Sequence, residues 1–211
     1  MSGSDDQSGK TPSDEQLLAG HLAGEPGRFE QLVRRHNREL YHFLARFTGN
    51  QAAAEDLVQE AFLQVHVSAA GFDPSRRFRP WLFAIAANKA RDMMRWRSRR
   101  PELPLEGGSG SSDEPGGSLL ELLSGQEHDP SDRLAEREQQ QLVREVVEQM
   151  PDHLREALIL GYYHRLAYKE IAEVLAIPLG TVKSRLHAAV GHFAREWRDR
   201  VEQRTSGGSE P

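Results

Sequence analysis

Thr181, Lys183, Ser184, Arg185 and His187 crowd one face of the segment "TVKSRLHAAV", and Val182, Leu186, Ala189, Val190 and Phe193 recur at three- and four-residue steps on the other. The chemistry such a face can do is recognition, not bond-making. Arg185 or Lys183 can pair with a guanine edge, and the hydroxyls of Thr181 and Ser184 suit phosphate oxygens. The helix carries donors near its N-terminus, where the dipole also favours phosphate. The residues just before them, "YKEIAEVLAIPLG", supply a short helix with Ile171, Ala172 and Leu175 inward and a turn at Ala176-Ile177-Pro178. Ala172 is small where a second helix must cross. A solvated helical hairpin is the plain alternative. The proline turn, the small crossing residue and the clustered donors together favour a helix-turn-helix.

A second cluster lies between residues 76 and 100, which hold nine Lys or Arg and one acid, Asp92. The whole chain carries a net charge of -5, so its charge is segregated and a basic surface survives in an acidic protein. Phe72, Phe78, Trp81, Phe83 and Trp96 are interleaved with these cations. Aromatic rings beside arginine stabilise unpaired bases, because stacking contributes about 1–3 kcal/mol per base. Trp81 and Ile85, four residues apart, read as core. Phe72, Arg76, Arg77, Phe78 and Arg79 fall in a loop, "FDPSRRFRP", and are harder to explain as packing.

The elements that must position these groups are helices throughout. Ser13 and Gln16 have capping-box spacing ahead of Leu17 and Leu18. Phe29, Leu32, Val33, Leu40, Phe43, Leu44 and Phe47 trace an apolar stripe that Gly49 stops, and a third helix starts at Asn50 and ends at Gly71. A fourth runs from about Pro80 to Arg100, with proline in its first turn. Ser131 opens a block carrying Leu134, Leu142, Val143, Val146, Val147 and Met150, broken by Pro151. Helices over about 152–163, 168–175 and 178–199 follow. The expected fold is all-α: two small helical domains, 13–100 and 131–200, joined by a flexible acidic linker over 101–130. Residues 1–12 and 201–211 read as disordered ends.

Composition narrows the function classes. Across 211 residues there is no cysteine, hence no disulfide framework and no thiolate metal site. His164, His187 and His192 lack metal-ligand spacing and read as scattered surface histidines, so neither a metal nor a cofactor is expected. No stretch approaches the ~18 apolar residues of a membrane span. The expectation is a soluble intracellular protein without membrane insertion.

Two separated stretches carry a family resemblance. "MPDHLREALILGYYHRLAYKEIAEVL" with "IPLGTVKSRLHAA" resembles region 4 of the extracytoplasmic-function (ECF, group 4) sigma factors of the sigma-70 family. "AEDLVQEAFLQVH" resembles region 2.2, and "RPWLFAIAANKARDMMRWRSR" resembles regions 2.3 and 2.4. The resemblance implies a sigma region 2 helical bundle and a sigma region 4 helix-turn-helix. It further implies a bacterial initiation factor that binds core RNA polymerase through its β and β′ subunits and associates with the nucleoid in holoenzyme. Asp56, Gln59, Glu60 and Leu63 would meet the polymerase β′ clamp helices. Phe72, Arg76, Arg77, Phe78, Arg79, Trp81, Asn88, Arg91, Arg95 and Arg99 would take the minus 10 element of promoter DNA. Thr181, Lys183, Ser184, Arg185 and His187 would take the minus 35 element, and an anti-sigma factor would be a further partner. His187 stands where the family often has arginine. The alternative is a helix-turn-helix regulator acting without polymerase. A recombinase would need an α/β domain that the chain does not suggest, and a helical adaptor would bind protein on both faces.

Overall fold

The computed structural model describes residues 11–99 and 133–207. Its N-terminal domain comprises α1 (Asp14–Leu22), α2 (Arg28–Thr48), α3 (Gln51–Ser68), a 3-10 turn (Ala69–Gly71) and α4 (Phe78–Ser98). Its C-terminal domain comprises α5 (Arg133–Glu148), α6 (Asp152–Leu158), a π-helical turn (Ile159–Tyr163), α7 (Tyr168–Leu175) and α8 (Leu179–Gly207). No strand occurs among the described residues. The expected linker, the Ser131 cap, residues 1–10 and 208–211 and the side chain of Leu134 lie outside the described residues.

Local chemistry sets most helix ends. At α1 the backbone N–H of Ser13 donates to Gln16 Oε1 (2.9 Å) and that of Gln16 to Ser13 Oγ (3.2 Å), a reciprocal box. Asn50 Oδ1 accepts from the N–H of Ala53 at 2.8 Å, and Gly49 ends α2 at φ 66°, a region costly for any residue with a Cβ. Three boundaries differ from the sequence reading. The fourth helix begins at Phe78, two residues before Pro80, because Glu15 Oε1 on α1 accepts the Phe78 N–H at 2.9 Å and caps it from a distance. The helix expected over 152–163 changes to π geometry after Leu158. The last helix continues to Gly207, past the expected end at 199 and into the expected tail.

In the N-terminal domain, Leu32, Leu40, Phe43, Leu44 and Phe47 of α2 are buried against Leu57, Ala61 and Val65 of α3 and Leu82, Phe83, Ala86 and Ala90 of α4. The two domains are not separate bodies: Leu160, Leu166, Ile171, Val174, Leu175, Val182 and Leu186 belong to the same continuous apolar cluster as α2–α4. A second cluster, with Val143, Val146, Val147 and Met150 of α5 and Ala189 and Phe193 of α8, is confined to the C-terminal domain.

The junction between the domains is polar at its centre. The π turn, closed by the His164 N–H to Ile159 O at 3.2 Å, carries His164 into the N-terminal core. Its ring packs on Phe43 (centroids 5.7 Å) and Phe83 (5.2 Å), and Nδ1 faces Glu39 Oε1 at 3.4 Å. Arg79 pairs with Glu39 and also donates to the carbonyl of His164 at 2.7 Å. The expectation of a surface His164 is therefore corrected: the residue is 6% exposed, and one extra backbone step in the π turn aims it inward. Burial pushes its imidazole below the ordinary value, more than Glu39 pulls it up, so the neutral ring is the form that packs.

Removing Glu39 would leave Arg79 and the His164 Nδ1–H without their shared acceptor. Glu39→Ala is expected to lower stability by about 2 kcal/mol, read as a lower thermal midpoint by circular dichroism; an unchanged midpoint would show that the cluster contributes nothing.

Candidate nucleic-acid interface

The helix-turn-helix pair is α7 and α8. Ala176, at φ 52°, ends α7 in the left-handed region, and the Pro178 carbonyl accepts from the N–H of Thr181 (2.9 Å) and Val182 (3.1 Å) to start α8. Val182, Leu186, Ala189 and Phe193 are buried, so the face opposite them is turned away from the core. Lys183, Ser184 and His187 are exposed and Thr181 is half-exposed. Ser184 Oγ donates to the Thr181 carbonyl at 3.0 Å. Arg185 is half-buried. Its charge acts on Glu156 of α6, which places it at the inner margin of the face.

The basic stretch divides into groups that are open and groups already held. Asn88 and Arg95 on α4 and Arg99 just past its end are exposed, and Arg91 is half-buried. Arg91 donates to Asn88 Oδ1 at 2.8 Å and lies 3.5 Å from Glu156. Arg95 pairs with Asp92 at 2.9 Å, a contact of one turn that solvent screens. Trp96, 54% exposed between Arg95 and Arg97, is an exposed aromatic residue absent from the assigned contacts, although its place among the cations is visible in the sequence.

Phe78 is corrected as a base contact. It is fully buried, packed on His36 (5.5 Å), Trp81 (5.9 Å) and Phe72 (6.3 Å), because the helix starts two residues early and turns it inward. Phe72 and Trp81, 4.8 Å apart, are half-buried beside it and pack on the same core. Arg79 is held by Glu39 and the His164 carbonyl, so it acts first as a structural group. Arg76 and Arg77 are exposed, yet each reaches a carboxylate of α7: Glu173 at 3.3 Å and Glu170 at 3.3 Å. A cleft of about 720 Å³ opens between this loop, α1 and α7, lined by Arg76, Arg77, Arg79 and Arg165 and by the carboxylates of Asp14, Glu15 and Glu170.

On α3, Asp56, Gln59, Glu60 and Leu63 share an exposed face. Leu63 is 64% exposed and Val67, one turn later, 70%, so an apolar strip runs through the carboxylates. Glu60 pairs with Lys89 of α4 at 3.1 Å. Among the described residues no group of three or more potential metal ligands occurs, and no helix is long and apolar enough to cross a membrane.

A helical domain with a basic aromatic flank, followed by a helix-turn-helix, has the arrangement of a DNA-binding protein. The family model for sigma-70 region 2 matches residues 32–100, and that for sigma-70 region 4 matches 140–193. The chain is 30% identical over 176 residues to the ECF RNA polymerase sigma factor SigW of Bacillus subtilis, covering 83% of this chain and 92% of the relative. It is 29% identical to the RNA polymerase sigma-H factor of Pseudomonas aeruginosa, over 83% and 89% of the two chains. Among solved structures, CnrH in complex with the cytosolic domain of CnrY superposes with a TM-score of 0.63 at 25% identity, over 87% of this chain and 96% of that one. The sigma factor RpoE of Bartonella quintana, solved with the anti-sigma factor NepR, shares the fold at a TM-score of 0.59 and 22% identity. The chain belongs to the ECF sigma factors of the sigma-70 family.

Glu156 is the site's most perturbed carboxyl near neutrality. It is 3% exposed, and Oε1 accepts no hydrogen bond among the described residues. Burial pushes its pKa up to about 7, Asp152 adds to the rise, and Arg91 and Arg185 offset only part of it. The folded value lies above the ordinary 4.5, so the folded form holds the proton more tightly. The stability this group contributes is full below about 4.5 and is lost as pH rises through 7. The size of this loss is on the order of 3 kcal/mol. In Glu156→Gln the fall in thermal midpoint between about pH 5 and about pH 8 should flatten; a slope equal to that of the parent would show that Glu156 is not the titrating group.

Proposed function

We propose that the chain directs promoter-specific initiation by dividing the work among three surfaces. Core RNA polymerase binds the exposed face of α3, where Asp56, Gln59, Glu60 and Leu63 stand with Val67. Carboxylates steer the approach, and the apolar strip supplies area to bury. The outward residues of α8 enter the major groove at the minus 35 element: Lys183 and Arg185 as base or phosphate contacts, Thr181 and Ser184 on the backbone, His187 beside them. On the N-terminal domain, Phe72, Trp81 and Asn88 meet extruded bases of the minus 10 element while Arg76, Arg77, Arg91, Arg95 and Arg99 neutralise phosphate. Stacking one or two bases offsets a cost of similar size for unpairing them, which favours local melting.

The observation that carries this reading is the joint presence of an exposed helix-turn-helix donor face and a separate cationic, aromatic face, on a chain whose relatives are polymerase sigma factors. The protein's part is binding and positioning: the polymerase supplies the catalysis, in the bacterial cytoplasm. Solved relatives are bound to CnrY and to NepR, and an anti-sigma factor is accordingly a partner of this chain as well. The regulator reading loses ground because a regulator acting alone has no use for the α3 face.

Run-off transcription with purified core polymerase tests the assignment: promoter-specific product should require this chain, and DNA binding without product would favour the regulator. Arg185→Ala should lose about 1–3 kcal/mol of minus 35 selectivity, and an equal loss on all sequences would exclude base reading. Replacing Asp56 and Glu60 together by alanine should weaken core polymerase binding with both domains still folded; retained affinity would move that interface elsewhere.

A further inference from the structure

Two histidines 45 positions apart in the chain meet ring to ring in the fold. Gly24 and Gly27, at φ 80° and 76°, turn the connection after α1 so that His21, in the last turn of α1, comes against Phe29 of α2 with ring centroids 4.8 Å apart. His66 on α3 packs on the same Phe29 ring at 5.4 Å. The two imidazoles then face each other, with His21 Nε2 standing 3.1 Å from His66 Nδ1. Neither residue belongs to the three surfaces assigned above.

Two imidazole nitrogens at that separation can hold one proton between them, or one cation. A divalent transition ion bound to both at the usual Zn–N length of about 2.0–2.1 Å would subtend an N–metal–N angle of roughly 100°, between the octahedral and tetrahedral values. The ring centroids would then lie about 4.8 Å apart, against about 5.4 Å for a straight N–H···N bond in the ring planes. The observed 5.0 Å is nearer the former. Imidazole suits zinc, copper and nickel, whereas magnesium and calcium select oxygen. Burial, and then the neighbouring His66, hold His21 below its ordinary value, so it reaches such an ion as the neutral ring that coordination needs.

We propose that His21 and His66 form a two-histidine site for a divalent transition ion, with water in the remaining positions, and that the bound ion staples α1 to α3. Helix α1 has only 9 residues, too few to stand alone. Its Asp14 nonetheless pairs with Arg35 and His36, and its Glu15 accepts the Phe78 N–H that starts α4. Fixing the far end of α1 therefore steadies the groups at its beginning. The site borders the exposed face of α3, where His66 adjoins Val67, and its occupation does not depend on what that face binds.

Proton–nitrogen correlation spectra of the histidine rings, recorded on the full chain at neutral pH during a Zn2+ titration, test the site. His21 Nε2 and His66 Nδ1 should shift together and saturate at a single ion per chain, while Mg2+ moves neither. Losing one of two ligands costs at least what losing an outer-shell partner does, so His66→Gln should weaken the Zn2+ affinity reported by His21 about 10-fold or more. The same variant should lose the Zn2+-induced rise in thermal midpoint that the parent shows by circular dichroism. His66 is exposed, so this variant keeps the fold, and His153→Gln, exposed elsewhere, should change neither readout. Rings that stay in place, or a shift of one ring without the other, overturn the proposal and leave a hydrogen-bonded pair. Parent-like Zn2+ affinity in His66→Gln overturns it equally.

Discussion

The burial of His164 between Phe43 and Phe83 sets the relation between everything the chain does with its two halves. An imidazole enters this apolar core with Nδ1 facing the Glu39 carboxylate and its backbone carbonyl accepting from Arg79, while Nε2 is buried without a partner among the described residues. Burial would push the Glu39 carboxyl up, but His164, His36 and Arg79 outweigh it and hold the group far below the usual carboxylate range. The carboxylate therefore stays charged under all mild conditions, and the junction has one fixed charge around which the others are arranged.

Function and cohesion share residues here, and that overlap has consequences. Arg79 cannot both bind phosphate freely and cap the π turn, and Arg91 is drawn toward Glu156 while it lines the basic flank. Glu156 is poorly satisfied where it sits, with a charge that burial penalises. A domain boundary containing an unhappy carboxylate and exposed ion pairs is held less tightly than a purely apolar one of the same extent, which suits a protein whose two DNA surfaces have to address separate stretches of duplex.

Much of this was legible from residue order. Helix existence, the Asn50 and Ser13 caps, the Gly49 stop and the outward polar face of α8 all follow from local rules that depend on neighbours within a turn or two. What failed to show was whatever depends on distant partners. Glu15 caps α4 from another helix, so Phe78 is pulled into the core although its neighbours are cations in a loop. His164 reads as a surface residue until a π turn, which has no compositional signature, directs it inward. The continuity of the apolar cluster across the two domains was equally hidden: Ile171, Val174 and Leu175 announce a buried face but not which body covers it. Family likeness proposes the surfaces, and only the fold tells which of their members are already engaged.

Direct observation of strand separation bears most closely on the central claim that this chain recruits polymerase and opens promoter DNA with its N-terminal flank. Permanganate footprinting of a promoter fragment with core polymerase reports unpaired thymines. With the chain present, reactive thymines should appear across the minus 10 region and should fade when Trp81 and Asn88 are both replaced by alanine. Thymines that stay protected in the presence of chain and polymerase, or reactivity indifferent to those two residues, would contradict it.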